Sequence, residues 1–227
     1  DWQSESDARL SQEIRRIEVE ETAGELGALL REAVLVKTES PAHNRALRRK
    51  EEAGVIAFDS DGRPRYLRAG QMASGERAET YGPFTSKRSA QALLRAVAAD
   101  HGLCWRRLGL EKRASGPCFQ RQLRRCRGAC VEEETPTTHD LRLRMALAVH
   151  LVPRWPLAGM GWVEERSADG SRTDLHVLQD WSWLGTARDE SALADLLESP
   201  PRPQFDIDVA RLLQRRWAKG TLRLVAA

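Results

Sequence analysis

The residue types best suited to chemistry in this chain are its four cysteines, three of which lie in the arginine-rich segment PCFQRQLRRCRGAC, residues 117–130. The intervals between Cys104, Cys118, Cys126 and Cys130 are 13, 7 and 3 residues. Cys126 and Cys130 would share a face of any helical turn. Four thiolates can complete a tetrahedral site for a soft metal, so all four are candidate ligands.

The spacing of the cysteines leaves the metal open. Thiolate ligands favour zinc or an iron–sulfur cluster over magnesium or calcium, but the paired two-residue intervals of zinc ribbons are absent. Four separate buried thiols that behave as small hydrophobic side chains are the alternative interpretation.

The charge around the cysteines argues for an anionic partner. From Cys104 to Cys130 there are eight Lys or Arg residues and one acidic residue, Glu111. Such a surface attracts phosphate. A second basic stretch follows Asn44, although a solvated polar loop would look similar. The residues predicted to contact a phosphate backbone are Arg45, Arg48, Arg49, Lys50, Arg121, Arg124, Arg125 and Arg127.

Glu32 is a carboxylate in apolar surroundings. On a predicted helix, its neighbours at three and four residues are Ala28, Leu29, Leu35 and Val36. A buried carboxylate is usually paired, protonated or bound to a metal, because burying it alone is costly. The alternative, which helix geometry alone favours, is that Glu32 lies at the edge of the apolar stripe and reaches water.

Composition indicates a globular protein. The chain has 227 residues, 41% of them hydrophobic, which suffices for one sizeable core or two small ones. No apolar run approaches a membrane span and no signal peptide opens the chain, so we expect a cytoplasmic protein with reduced cysteines. Because the chain starts at Asp1 without a methionine, we expect a fragment. The net charge of +3 leaves nucleic-acid affinity to local clusters.

The periodicity of the sequence predicts an α+β fold. We expect an amphipathic helix at 5–16, a strand at 17–21, and a helix that Thr22 and Glu25 cap and that runs to about Thr38. The other predicted elements are a hairpin of strands 54–60 and 63–67 around Asp61-Gly62, a turn at 81–84, helices at 86–100 and 138–150, strands at 161–166 and 174–184 around Asp169-Gly170, and helices near 189–197 and 205–218. Five of the seven tryptophans fall in this last, separate subdomain, where core packing is their more common role.

Several longer motifs resemble a known family. The segments ELGALLREAVLVKTESPAHN, YGPF and PCFQRQLRRCRGAC occur in the order found in the amino-terminal half of the UvrC family of excision-repair nucleases. The tail segments RWPLAG, HVLQDWSWLG and FDIDVARLL resemble the short, Cho-type members. The resemblance covers nearly the whole chain. The same module also occurs fused behind a proofreading exonuclease of the polymerase type.

The resemblance implies a GIY-YIG nuclease site. In this family one divalent metal, Mg²⁺ or Mn²⁺, is held by a helical glutamate, a tyrosine activates water, and an arginine lies near the scissile phosphate. Glu32 matches the metal-binding glutamate and Asn44 matches the active-site asparagine. The four cysteines match residues that resemble iron–sulfur ligands, so the resemblance implies a [4Fe–4S] cluster, with Zn²⁺ as the alternative.

The match also has departures. The GIY and YIG strands and the arginine helix normally precede the point where this sequence begins, and its only tyrosines, Tyr66 and Tyr81, lie in other contexts. We therefore expect half of a nuclease site and no activity of this polypeptide alone. The implied divisions are 1–50 as the end of the nuclease domain, 51–101 as a hairpin and helix linker, 102–152 as the cysteine-rich region, and 153–227 as a Cho-like carboxy-terminal subdomain.

The resemblance predicts an endonuclease of nucleotide excision repair. It would incise damaged double-stranded DNA on the 3′ side of a lesion, with UvrB as partner and UvrA upstream, and without a membrane. One alternative is a non-catalytic DNA-binding scaffold whose cysteine-bound metal is structural. Another is an accessory domain of a proofreading exonuclease.

Overall fold

Two antiparallel sheets with helices packed on them make up the computed structural model, which describes residues 12, 14–39, 41, 52–68, 79–112 and 115–227. The helices are α1 (Glu25–Glu39), α2 (Lys87–His101), α3 (Phe119–Gln122), α4 (Pro136–Leu147), α5 (Glu190–Glu198) and α6 (Ile207–Ala218). The strands are β1 (Gly54–Phe58), β2 (Pro64–Arg68), β3 (Thr80–Phe84), β4 (Gly161–Arg166), β5 (Thr173–Gln179), β6 (Ser182–Ala187) and β7 (Val225–Ala226). The α+β class is confirmed. None of the described helices has the length and apolar character needed to span a membrane.

The first sheet has the strand order β2–β1–β3. β1 and β2 form the predicted hairpin, and Gly62 in its turn has φ +73°, a conformation that glycine adopts readily. The turn predicted at 81–84 is wrong, because these residues lie in β3, where Ile56 of β1 pairs with Tyr81. Pro83 suggested a turn, but β3 is an edge strand, where a residue without an N–H is tolerated.

Two helices cover the first sheet. α2 matches its prediction: the Ser86 hydroxyl accepts a hydrogen bond from the Ser89 amide, and Gly102 ends the helix in the left-handed region with φ +60°. α4 and a following 3₁₀ turn, Ala148–His150, match the second predicted helix, which begins earlier than expected because Thr135 caps it. The buried residues that join these helices to the sheet include Ile56, Tyr81, Leu94, Leu103, Leu143 and Leu147.

The second sheet has the strand order β6–β5–β4–β7. The single strand predicted at 174–184 is wrong, because it is divided into β5 and β6 by a tight turn at Asp180 and Trp181. Both turn residues have positive φ, 51° and 61°. The Trp181 ring is nevertheless buried, and its indole N–H donates to the carbonyl of Pro153 at 2.7 Å. The apolar pattern therefore continues through the turn and hides it in the sequence.

The strand predicted at 17–21 is also wrong. Residues 14–22 are irregular, and Ile17 and Val19 are 77% and 83% exposed. Their alternating pattern pairs with no strand in the described part of the chain. Of the helix predicted at 5–16, residues 5–11 and 13 lie outside the described residues, and the end at 14–16 is wrong, because these residues are irregular. The four-part division of the chain stays a prediction.

The amino end of α1 is held by the second sheet. The predicted cap is wrong, because the Thr22 hydroxyl donates to the carbonyl of Gly24. Instead, the amides of Leu26 and Gly27 each donate at 2.8 Å to the Glu165 carboxylate on β4. A carboxylate is favourable at this position, because the first-turn amides and the helix dipole both attract negative charge.

Neighbouring groups fix that carboxylate. Nε2 of the buried His176 lies 3.2 Å from Glu165, and Nδ1 lies 2.8 Å from the Thr186 hydroxyl. A Cβ at Gly24 would lie 2.6 Å from Glu165, so only glycine lets the carboxylate approach the helix. The apolar face of α1 joins the second core, which includes Leu26, Leu30, Val163, Leu178, Val209 and Leu213.

Replacing Glu165 with alanine should lower the free energy of unfolding by about 1–3 kcal/mol, because two helix amides and His176 lose their partner. Glu164→Ala is the matched control, since Glu164 is exposed and pairs only with Arg166 among the described ion pairs. Urea unfolding of both variants measures the difference. Equal losses in the two variants would contradict the capping role.

Candidate metal centre and nucleic-acid interface

The four cysteine sulfurs converge on one site. One Sγ atom from each of Cys104, Cys118, Cys126 and Cys130 lies within 4.8 Å of the others. The Cys104 and Cys118 sulfurs are 3.8 Å apart. Three of the cysteines are buried and Cys130 is half-buried. The predicted convergence is therefore confirmed.

The surrounding elements bring the cysteines together. Cys104 follows the end of α2, Cys118 directly precedes α3, and the other two lie in the loop that leads to α4. The Cys104 amide donates at 3.1 Å to Nε2 of His139, a fully buried residue of α4. Burial lowers the pKa of His139, although the adjacent Asp140 opposes this shift. A neutral imidazole can accept that hydrogen bond.

Hydrogen bonds reach the sulfur atoms themselves. The Cys118 amide donates to the Cys130 sulfur, and the Gly128 amide donates to the Cys126 sulfur, each at 3.3 Å. A hydrogen bond between Cys104 and Cys126 lowers the pKa of Cys126 and, together with burial, raises the pKa of Cys104. Four sulfurs within 4.8 Å of one another are suited to bind a metal as thiolates, which release their protons when the metal binds.

The donor set fits a thiolate-bound metal. With Zn–S bonds of about 2.3 Å, a tetrahedral ion places its sulfurs about 3.8 Å apart. The observed separations, within 4.8 Å, are close to this value. In a [4Fe–4S] cluster the four thiolates bind four different irons, so the same sulfurs would have to lie further apart.

Two arginines of the cysteine-rich segment are structural. The Arg106 guanidinium donates to the carbonyls of Gly116 and Cys130 and so ties the segment to itself. Arg107 pairs with the Asp140 carboxylate on α4, and this hydrogen bond raises the pKa of Arg107. Both guanidinium groups therefore bind groups of this chain, although the two residues lie in the same basic segment as the exposed arginines.

Three further arginines of the segment are exposed to solvent. Arg124, Arg125 and Arg127 are exposed, whereas Arg121 is half-buried and forms an ion pair with Glu133. We call Arg124, Arg125 and Arg127 the arginine surface. It lies in the same loop as Cys118, Cys126 and Cys130.

Glu32 lies on the exposed side of α1, so its carboxylate reaches water. Its helix packs on the second core, whereas the cysteines follow elements of the first. The other predicted site residues, Asn44, Arg45, Arg48, Arg49 and Lys50, lie outside the described residues. The roles of Glu32 and Asn44 stay predictions.

Sequence reasoning missed the residues that support these sites. His139 lies on the same buried face of α4 as Leu143 and Leu147, at intervals of four residues, and this periodicity marks it as a core histidine. Glu165 and His176 lie on strands far from α1 in sequence, and no local pattern connects them with the helix they support.

Comparison with known proteins defines the class. Residues 55–149 match the family model of the UvrC/Cho excinuclease middle domain, and residues 160–227 match that of the excinuclease Cho C-terminal domain. Both models describe domains of a family of DNA-repair nucleases. The chain is 32% identical to Excinuclease cho of Escherichia coli (strain K12) over 219 residues, which cover 96% of this chain and 72% of that protein.

Other relatives agree with this match. Excinuclease cho of Salmonella typhi is 32% identical over 220 residues, which cover 96% of this chain and 73% of that protein. UvrABC system protein C of Borrelia garinii subsp. bavariensis is 24% identical over 140 residues, which cover 62% of this chain and 22% of that protein. No solved structure matches significantly. The chain belongs to the UvrC/Cho excinuclease family.

Replacing Cys126 with serine should remove the bound metal, because a hydroxyl is a poor ligand for a soft metal. We expect the metal content to fall from about one centre per chain toward zero, with a lower thermal midpoint, since metal binding and local folding are coupled. Ser115→Ala, at an exposed position of the same segment, is the control. Full metal content in the Cys126→Ser protein would contradict the four-sulfur site.

Proposed function

We propose that this chain is part of a DNA endonuclease of nucleotide excision repair that cuts a damaged duplex on the 3′ side of the lesion. The observation that carries the proposal is the relationship to Excinuclease cho over 96% of the chain. The arginine surface supports it, because exposed guanidinium groups bind phosphates without regard to sequence.

Glu32 is the proposed ligand for the catalytic cation, and Asn44 is the second proposed catalytic residue. Glu32 is exposed on α1, so its carboxylate is accessible to a metal ion and a phosphate. A bound Mg²⁺ or Mn²⁺ would neutralise charge on the scissile phosphate. The family resemblance implies that a tyrosine and an arginine complete the site. Neither Tyr66 nor Tyr81 matches that tyrosine.

The proposed macromolecular partners follow from the family. The relatives of this chain include UvrABC system protein C of Borrelia garinii subsp. bavariensis. We propose damaged double-stranded DNA as substrate and UvrB as the protein that presents it, with UvrA acting upstream. Cytoplasmic localisation is part of the same proposal.

For the four-cysteine centre we propose a [4Fe–4S] cluster, as the family resemblance implies. One Zn²⁺ is the second candidate, because the observed sulfur separations are close to those around a single tetrahedral ion. Both would hold the loop in one shape.

Anaerobically purified protein should be brown and contain about four irons and about four sulfides per chain. Elemental analysis and the absorption spectrum measure this directly. Colourless protein with one zinc per chain would contradict the iron–sulfur proposal and establish a single-ion site.

Glu32→Gln should abolish incision of a lesion-bearing duplex in a form of the protein that also carries the family's tyrosine-bearing strands. The loss should exceed the 10- to 100-fold typical of groups that only orient a ligand, because the substitution removes the ligand itself. DNA binding should change little, since the side chain keeps its shape. Glu39→Gln, another exposed carboxylate on α1, is the control and should cut normally.

The same experiment separates the nuclease from the scaffold. A non-catalytic DNA-binding module is the second candidate, and the observation that favours it is that the largely buried cysteine centre suits a structural metal next to exposed arginines. Normal incision by Glu32→Gln would place the catalytic metal elsewhere. This chain would then act as the DNA-binding part alone.

A further inference from the structure

The short loop between Cys118 and Cys126 presents two large apolar side chains to solvent. Phe119 is 51% exposed and Leu123 is 45% exposed. They lie four residues apart: Phe119 begins α3 and Leu123 directly follows it, and the Leu123 amide donates to the Phe119 carbonyl at 3.2 Å. Residues at this spacing lie on one face of a helical turn, so the two side chains form one apolar patch. We call Phe119 and Leu123 the apolar pair.

The backbone beneath the apolar pair is well anchored. Cys118 and Cys126, two members of the sulfur site, bound the loop on either side. The Phe119 amide donates to the Glu111 carboxylate at 2.8 Å, and the Arg125 amide donates to the Gln120 carbonyl at 2.8 Å. These bonds are made by backbone amides and do not require apolar side chains at either position, so the apolar pair is left exposed and available to a partner.

The charge around the apolar pair selects the kind of partner. Between Cys118 and Cys130 the sequence contains four arginines and no acidic residue. The arginine surface directly follows Leu123, with Arg124 held at φ +58°. Two apolar side chains are too small a patch for a stable protein interface, which requires about 800 Å² per partner. They match the size of one base step, and proteins that kink DNA insert such side chains beside phosphate-binding cations.

We propose that the apolar pair packs into an unstacked base step of a distorted DNA duplex, while the arginine surface binds the flanking phosphates. The inference rests on the proposed DNA-binding function and adds what this surface recognises. An intact step must first be unstacked, which costs free energy, whereas a mismatched or abasic step is already weakened. The apolar pair would therefore make the chain prefer distorted over intact duplex.

The preference can be measured with two duplexes of the same length and sequence, one fully paired and one with a central abasic site. Fluorescence anisotropy at several salt concentrations gives the affinity and its salt dependence for each. The double variant Phe119→Ala, Leu123→Ala should lose about 10-fold in affinity for the abasic duplex, with its salt dependence unchanged. The matched control is Met145→Ala, Val149→Ala, which truncates side chains 69% and 88% exposed elsewhere and should bind as the parent chain does.

A second variant tests the underlying DNA binding separately. Arg124→Ala, Arg125→Ala should weaken binding to both duplexes and flatten the log–log salt slope by about one unit per lost phosphate contact. If the slope changes but the apolar variant binds both duplexes normally, the inference is overturned and the proposed function stands. If neither variant affects binding, this surface does not contact DNA, and both the inference and the DNA-binding role of the surface are wrong. Metal content equal to the parent's confirms that each variant is folded.

Discussion

The convergence of four sulfurs is the constraint on which the cysteine-rich segment and its exposed arginines depend. Between the end of α2 and the start of α4 the chain forms only one four-residue helix in the described residues, and a helix this short is not stable by itself. The sulfur site joins both ends of this segment and its middle. A metal bound there would link residues far apart in sequence, whereas the backbone hydrogen bonds of this segment mostly join residues three to five positions apart.

A second, independent constraint positions the helix of the proposed catalytic ligand. The amino end of α1 is fixed to β4 by the Glu165 carboxylate, and His176 holds that carboxylate from β5. The second sheet is therefore the support for Glu32 in the described structure. In the proposed function, the cysteine centre shapes the DNA-binding surface and the carboxy-terminal sheet positions the candidate metal ligand.

Local signals in the sequence predicted what depends on local physics. The capping serine and glycine gave the limits of α2, and clustering of a rare residue type gave the sulfur site. Features that depend on distant partners were missed. Pro83 suggested a turn, because the sequence does not show that its strand lies at the edge of a sheet. The Thr22 cap was wrong because Glu165, distant in sequence, binds the helix amides instead. The division of arginines into structural and exposed ones likewise requires their partners.

The central claim is that the metal centre gives the arginine surface its DNA-binding shape. The most direct test measures the affinity of the unmodified chain for one DNA duplex, and its salt dependence, before and after removal of the metal by a chelator. Tryptophan fluorescence of a Trp105→Phe variant, which lacks the tryptophan next to Cys104, shows whether the carboxy-terminal sheet stays folded, because five of the six tryptophans left lie at positions 155–217. The account predicts weaker binding and a flatter salt dependence in the metal-free protein, with that fluorescence unchanged. Equal affinity and equal salt dependence with and without the metal would contradict it.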